Sequence, residues 1–149
     1  MKVDDPVKLI LNRKGPDIWS VPPDASVYSA IELMADKRVG ALLVIEEGTL
    51  VGIISERDYA RKVILQGRSS KSTFVDEIMT PSPITVDMCT SVQEAMQVMT
   101  ENRVRHLPVV ENGTLRGVLS LGDLVNWIIT VQDETIEHLQ HYIAGQYPC

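Results

Sequence analysis

Slid against itself at an offset of 65 residues, the chain matches at 17 of the 46 positions from Trp19 to Ile64, without a gap. Val21 falls on Val86, Ser26-Val27 on Ser91-Val92, Ala30 on Ala95, Met34 on Met99 and Arg38-Val39 on Arg103-Val104. Leu42, Val44 and Glu46 fall on Leu107, Val109 and Glu111, and Gly48-Thr49-Leu50 on Gly113-Thr114-Leu115. Gly52, Ser55, Asp58 and Ile64 fall on Gly117, Ser120, Asp123 and Ile129. Two copies are too few for a solenoid, whose stacked units need about three or more repeats to bury a continuous core. The duplication therefore implies a closed pair with pseudo-twofold symmetry.

Each copy reads as β-α-β-β-α. An extended lead-in (residues 17–21 or 83–86) precedes a helix capped by Ser26 or Ser91, the latter with Glu94 completing a capping box. Val27, Ala30, Ile31 and Met34, and their partners Val92, Ala95, Met96 and Met99, recur at helical spacing on one face. A strand follows (residues 41–45 or 106–110), then a turn that carries the Asn112-Gly113 hairpin signal in copy 2, then a second strand (residues 50–54 or 115–119). The second helix begins at Ser55 or Ser120. Pro108 lacks a backbone donor, so its strand is expected at a sheet edge, or the proline at the strand's start. The Met side chains read as core filler, and Trp127, on the second helix, as interface packing.

The organisation expected from these signals is an N-terminal polar extension (1–16), copy 1 (17–66), a linker (67–80), copy 2 (81–131) and a C-terminal helical tail (132–149). Fourteen Lys and Arg against twenty Asp and Glu give a net charge of −6. That balance offers no general attraction to nucleic acid or anionic membrane. The two cysteines, Cys89 and Cys149, make no disulfide framework, and the N-terminus shows no export signal, so a cytoplasmic protein is expected. Glu134, His138 and His141 lie one helical turn apart, which an exposed polar face explains as well as a metal would, and no metal is expected. No nucleophile accompanies the three histidines, so the chain does not read as an enzyme.

The most informative element is Gly52-Ile53-Ile54-Ser55-Glu56-Arg57-Asp58, repeated as Gly117-Val118-Leu119-Ser120-Leu121-Gly122-Asp123. A capping box alone would account for one serine and its carboxylate three residues on. The same geometry also makes a ligand site, with amides and a hydroxyl facing an anion and a carboxylate placed to accept hydrogen bonds from a ribose diol.

With this motif in both copies, the chain resembles a tandem pair of cystathionine-β-synthase (CBS) domains, a Bateman module, over residues 17–131. The segments Ser55 to Lys62 and Arg103 to Val110, and the lead-in Val75 to Thr80, resemble the small stand-alone CBS-pair proteins. The resemblance implies an α/β (α+β) fold of two β-α-β-β-α units and a regulatory role, with AMP, ADP, ATP, NAD or S-adenosylmethionine held between the copies. Asp58 and Asp123 would take ribose hydroxyls, and Ser55 and Ser120 would face phosphate. Trp19, Ser20 and Val21, with Ile84, Thr85 and Val86, would flank the base. Arg105 and His106, matched by Gly40 and Ala41 in copy 1, and Arg57, matched by Gly122 in copy 2, would reach phosphate and make the two sites unequal. AMP or NAD is the expected ligand and a homodimer the expected assembly. The alternative is a modulator of a partner enzyme or redox protein with vestigial clefts.

Overall fold

The computed structural model describes residues 3–130, and the C-terminal tail with Glu134, His138 and His141 lies outside them. The chain divides into two units: Asp17–Thr85, and residues 1–16 joined by those from Val86 onward. The first unit starts at Asp17, like copy 1, but runs on to Thr85, past residue 66 and through the segment between the copies.

In the first unit, β1 (Ser20–Val21) runs parallel to β2 (Ala41–Glu46), which forms a hairpin with β3 (Thr49–Ser55). The turn places Glu47 and Gly48 at φ of 49° and 78°, the double left-handed conformation that suits a two-residue hairpin. Between β1 and β2 lies α2 (Val27–Lys37), whose N-cap Ser26 accepts from Ser29 N–H and whose buried Val27, Ala30 and Met34 face the sheet residues Leu42, Val44 and Ile54. After β3 come α3 (Glu56–Tyr59) and a π-helical turn, Ala60–Ile64.

The segment expected to be a linker contributes to this same unit. Its later part forms α4 (Val75–Ile78) and β4 (Thr80–Pro81), the latter paired with β3, and buries Val75 and Ile78. A Cβ on Gly52 would lie 2.5 Å from Met79 Sδ and 3.0 Å from the Thr80 carbonyl oxygen. The motif's glycine is thus needed for close approach of a second backbone.

The second unit repeats the plan with α5 (Val92–Asn102), β5 (His106–Glu111), β6 (Thr114–Ser120) and a helix at residues 121–130. Residues 1–16 are more than a polar extension. They form α1 (Lys8–Lys14), which buries Val7, Ile10 and Leu11 in the unit's core. Backbone bonds anchor this segment, from Val7 N–H to Thr90, from Val92 N–H to Asp5 and from Gln93 N–H to Val3. Leu11 covers Gly117, where an added Cβ would lie 3.0 Å from its Cδ2, so α1 does for copy 2 what the 75–81 segment does for copy 1.

β5 and β6 make a two-stranded sheet, so Pro108, the third residue of β5 and opposite Val118, stands on an edge strand as its missing donor requires, with its carbonyl accepting from Val86 N–H. Its repeat partner Leu43 donates a backbone hydrogen bond to Trp19, and proline cannot do the same. The first unit consequently has a two-residue β1, while the second has a single bridge, Val86 to Val109. Trp127 is not interface packing but part of its own unit's core, 5% exposed, with the Arg13 guanidinium 4.9 Å from its ring centre.

Candidate functional site

The repeated motif ends each unit's hairpin at a strand-to-helix junction. Backbone pairing sets it there, because Ala41 lies opposite Ser55 and His106 opposite Ser120. In the first unit Ser55 N–H donates to Asp58 Oδ2 at 2.9 Å and Asp58 N–H to Ser55 Oγ at 3.2 Å, a complete capping box. The Ser55 hydroxyl also lies 3.1 Å from Asp58 Oδ2 as a donor, and Lys62, one turn on, pairs with Asp58 Oδ1 at 3.2 Å. Lys62 Nζ donates to the Ile78 carbonyl as well.

The second unit builds the box with Ser120 N–H on Asp123 Oδ2 at 2.8 Å and Asp123 N–H on Ser120 Oγ at 3.0 Å. Its cation comes from elsewhere. Lys14, at the end of α1, donates to Asp123 Oδ2 at 2.8 Å and to the Val118 carbonyl at 2.9 Å. At the repeat offset, copy 2 has Trp127 where copy 1 has Lys62, so no i+4 lysine is available to Asp123.

His106 faces the same cluster. Burial above all, then the Lys14 charge, holds its imidazole below the usual histidine range, with Arg105 acting in the same sense and Asp123 opposing. The ring is therefore neutral at pH 7 and adds no positive charge. The anion attraction expected from an Arg105-His106 pair falls instead to Arg105, which is exposed and has no ion pair among the described residues, and to Lys14.

The other candidate residues are distributed between the units. Trp19, Ser20, Val21, Arg57, Ile84 and Thr85 belong to the first, and Val86, Arg105 and His106 to the second. Trp19 packs on the first core with Lys37 Nζ 4.5 Å over its ring, Val21 is buried, and Ser20, Ile84 and Thr85 are exposed. Arg57 is half-buried and makes no ion pair among the described residues. Sequence reasoning missed both lysines. Lys62 was legible as an i, i+4 partner of Asp58, but Lys14 lies 109 residues from Asp123 and had no local signal beyond the tryptophan that displaced its counterpart.

The CBS domain model matches residues 11–64 and 75–130. The chain belongs to the CBS domain family. The mitochondrial CBS domain-containing protein CBSX3 of Arabidopsis thaliana is 46% identical over 135 residues, covering 87% of this chain and 65% of that protein, so this chain spans just under two thirds of that relative. A protein with CBS domains from Burkholderia ambifaria superposes with a TM-score of 0.82 at 49% identity, covering 84% of this chain and 94% of the other. The CBS domain pair of protein MJ0100 superposes with a TM-score of 0.73 at 25% identity, covering 83% and 94%, and its crystal structure is a complex with 5′-methylthioadenosine and S-adenosyl-L-methionine. This CBS pair thus has the mixed α+β fold that its repeat implied. No helix among its described residues is long and apolar enough to cross a membrane.

Proposed function

We propose that this CBS pair is a regulatory module, not an enzyme, that binds an adenine nucleotide, AMP or NAD ahead of ADP, ATP or S-adenosylmethionine. The observation that carries the reading is the recurrence of one Ser/Asp capping box, at the same strand-to-helix junction, in both units. Asp58 and Asp123 take ribose hydroxyls, Ser55 and Ser120 face phosphate, and the residues at 19–21 and 84–86 flank the base. The adenosyl compounds in the MJ0100 complex support this ligand class. A reducing compartment such as the cytoplasm suits the two cysteines, although the CBSX3 relative is mitochondrial.

A ligand that binds only the native state at 100 times its Kd raises stability by about 2.7 kcal/mol. A thermal-shift panel with AMP, NAD, ADP, ATP, S-adenosylmethionine and adenosine should therefore raise the melting temperature for at least the phosphate-bearing ligands. No shift with any of the six would overturn the reading.

Exposed apolar residues on or just after the second helix of each copy, Ile64 and Leu65 in one and Val125 and Ile129 in the other, suit a homodimer, and a partner protein that reads the ligand state would use a similar face. Light scattering at micromolar concentration should return twice the chain mass of 16.6 kDa. A value equal to the chain mass would remove the dimer from the proposal.

A further inference from the structure

The two Ser/Asp sites are built from the same residues but differ in which atoms remain open. Asp58 has partners on both oxygens, since Oδ2 accepts from Ser55 N–H and the Ser55 hydroxyl while Oδ1 meets Lys62. At Asp123 both the Ser120 amide and Lys14 converge on Oδ2, and among the described residues nothing pairs with Oδ1. The Ser120 hydroxyl, unlike that of Ser55, makes no donor contact with its aspartate there. A carboxylate oxygen, a hydroxyl and an ammonium thus stand together in the second unit with capacity to spare. Lysine has three N–H donors, and its two contacts, to Asp123 and Val118, leave one.

α1 fixes Lys14 in this place. Leu11 packs over Gly117, Arg13 lies across the Trp127 ring, and Val7 and Ile10 are buried beneath. The ammonium is consequently held beside the carboxylate, at 42% side-chain exposure, where solvent and ligand can reach it. With Arg105 exposed and His106 neutral, Lys14 and Arg105 are the cations of the cluster.

We infer that Lys14 is a specificity residue of the second Ser/Asp site, where it selects phosphate-bearing adenosine ligands over neutral or cationic ones. The inference rests on the adenine-nucleotide reading above. A ribose hydroxyl donates to Asp123 Oδ1, and the free Lys14 N–H donates to an anionic oxygen of the same ligand. A sulfonium such as that of S-adenosylmethionine meets repulsion at the same point. In copy 1 Lys62 meets Asp58 Oδ1 itself, so a ribose hydroxyl there shares that oxygen with an ammonium.

Full-length wild type, Lys14→Met and Lys14→Arg, each with its ligand-free melting temperature recorded, would be titrated calorimetrically with AMP and with adenosine. Lys14→Met should weaken AMP about tenfold or more, the value of one charge-assisted hydrogen bond, and leave adenosine within about twofold. Lys14→Arg should keep most of the AMP affinity. Equal losses for the two ligands, or an unchanged AMP affinity in a wild type that binds it, would overturn this inference alone. Tighter binding of both ligands by Lys14→Met would also overturn it, showing that the lysine competes with ligand. A wild type that binds neither ligand would instead remove the adenine-nucleotide reading beneath it.

Discussion

A chain shortened to begin at Asp17 is expected to lose the fold of its second unit while keeping an intact CBS repeat in sequence. Val7, Ile10 and Leu11 are at most 7% exposed and belong to the core that holds Leu107, Leu119 and Trp127. Burying each contributes roughly 1.5–3 kcal/mol, so their loss approaches the 5–15 kcal/mol by which a whole domain is usually stable. The backbone bonds from Val7, Val92 and Gln93 go with them, and Gly117 is left open where Leu11 had covered it. Circular dichroism on heating should show the second unit's transition absent or far lower than in the full chain. A melting curve within about two degrees of the full chain would mean that α1 is dispensable. Leu11→Ala supplies a milder version, with an expected loss of about 2–5 kcal/mol for a buried leucine.

The double substitution Asp58→Ala with Asp123→Ala should abolish nucleotide-induced stabilisation. Each carboxylate would accept hydrogen bonds from ribose hydroxyls, and charge-assisted bonds contribute about 1.5–3 kcal/mol, roughly 10- to 100-fold in affinity at each site. The substitutions also remove the carboxylate half of two capping boxes, so a modest fall in ligand-free melting temperature accompanies them. The ion pairs lost with them, each with an exposed lysine, matter less, because pairs open to solvent contribute about 0–1 kcal/mol. The quantity to compare is therefore the shift caused by ligand. Asp123→Ala alone should take the larger share, because Asp123 Oδ1 has no partner among the described residues while Lys62 already meets Asp58 Oδ1. A double variant that still gains the full wild-type shift would show that the aspartates cap their helices and nothing more.

The second pairing also decides how the charges of copy 2 should be understood. Adjacent in sequence, Arg105 and His106 look like a pair of cations. Burial makes His106 neutral, and the second positive charge at Asp123 is carried in by α1. No window of sequence around residues 103–110 contains that substitution of one cation by another.

Much of the plan was legible without coordinates. Capping serines, helical and alternating periodicities and the Gly-containing turns are local signals, set by backbone geometry within a few residues, and they located α2, α5 and both hairpins to within a residue or two. The Ser/Asp boxes formed at the places their spacing required, because a capping box closes over three residues. The repeat itself determined that whatever one copy folds into, the other would approximate. What only the tertiary structure decided is which distant segments complete each unit: residues 1–16 serve the second and 75–81 the first, each pressed against a motif glycine. Val7, Ile10 and Leu11 are too few in a short stretch to declare a core of their own, and their partners lie some hundred residues away. For the same reason Lys14 could not be assigned to Asp123 from sequence. A helix cap is written in adjacent residues, whereas a salt bridge across 109 residues exists only once burial of α1 has brought its ends together.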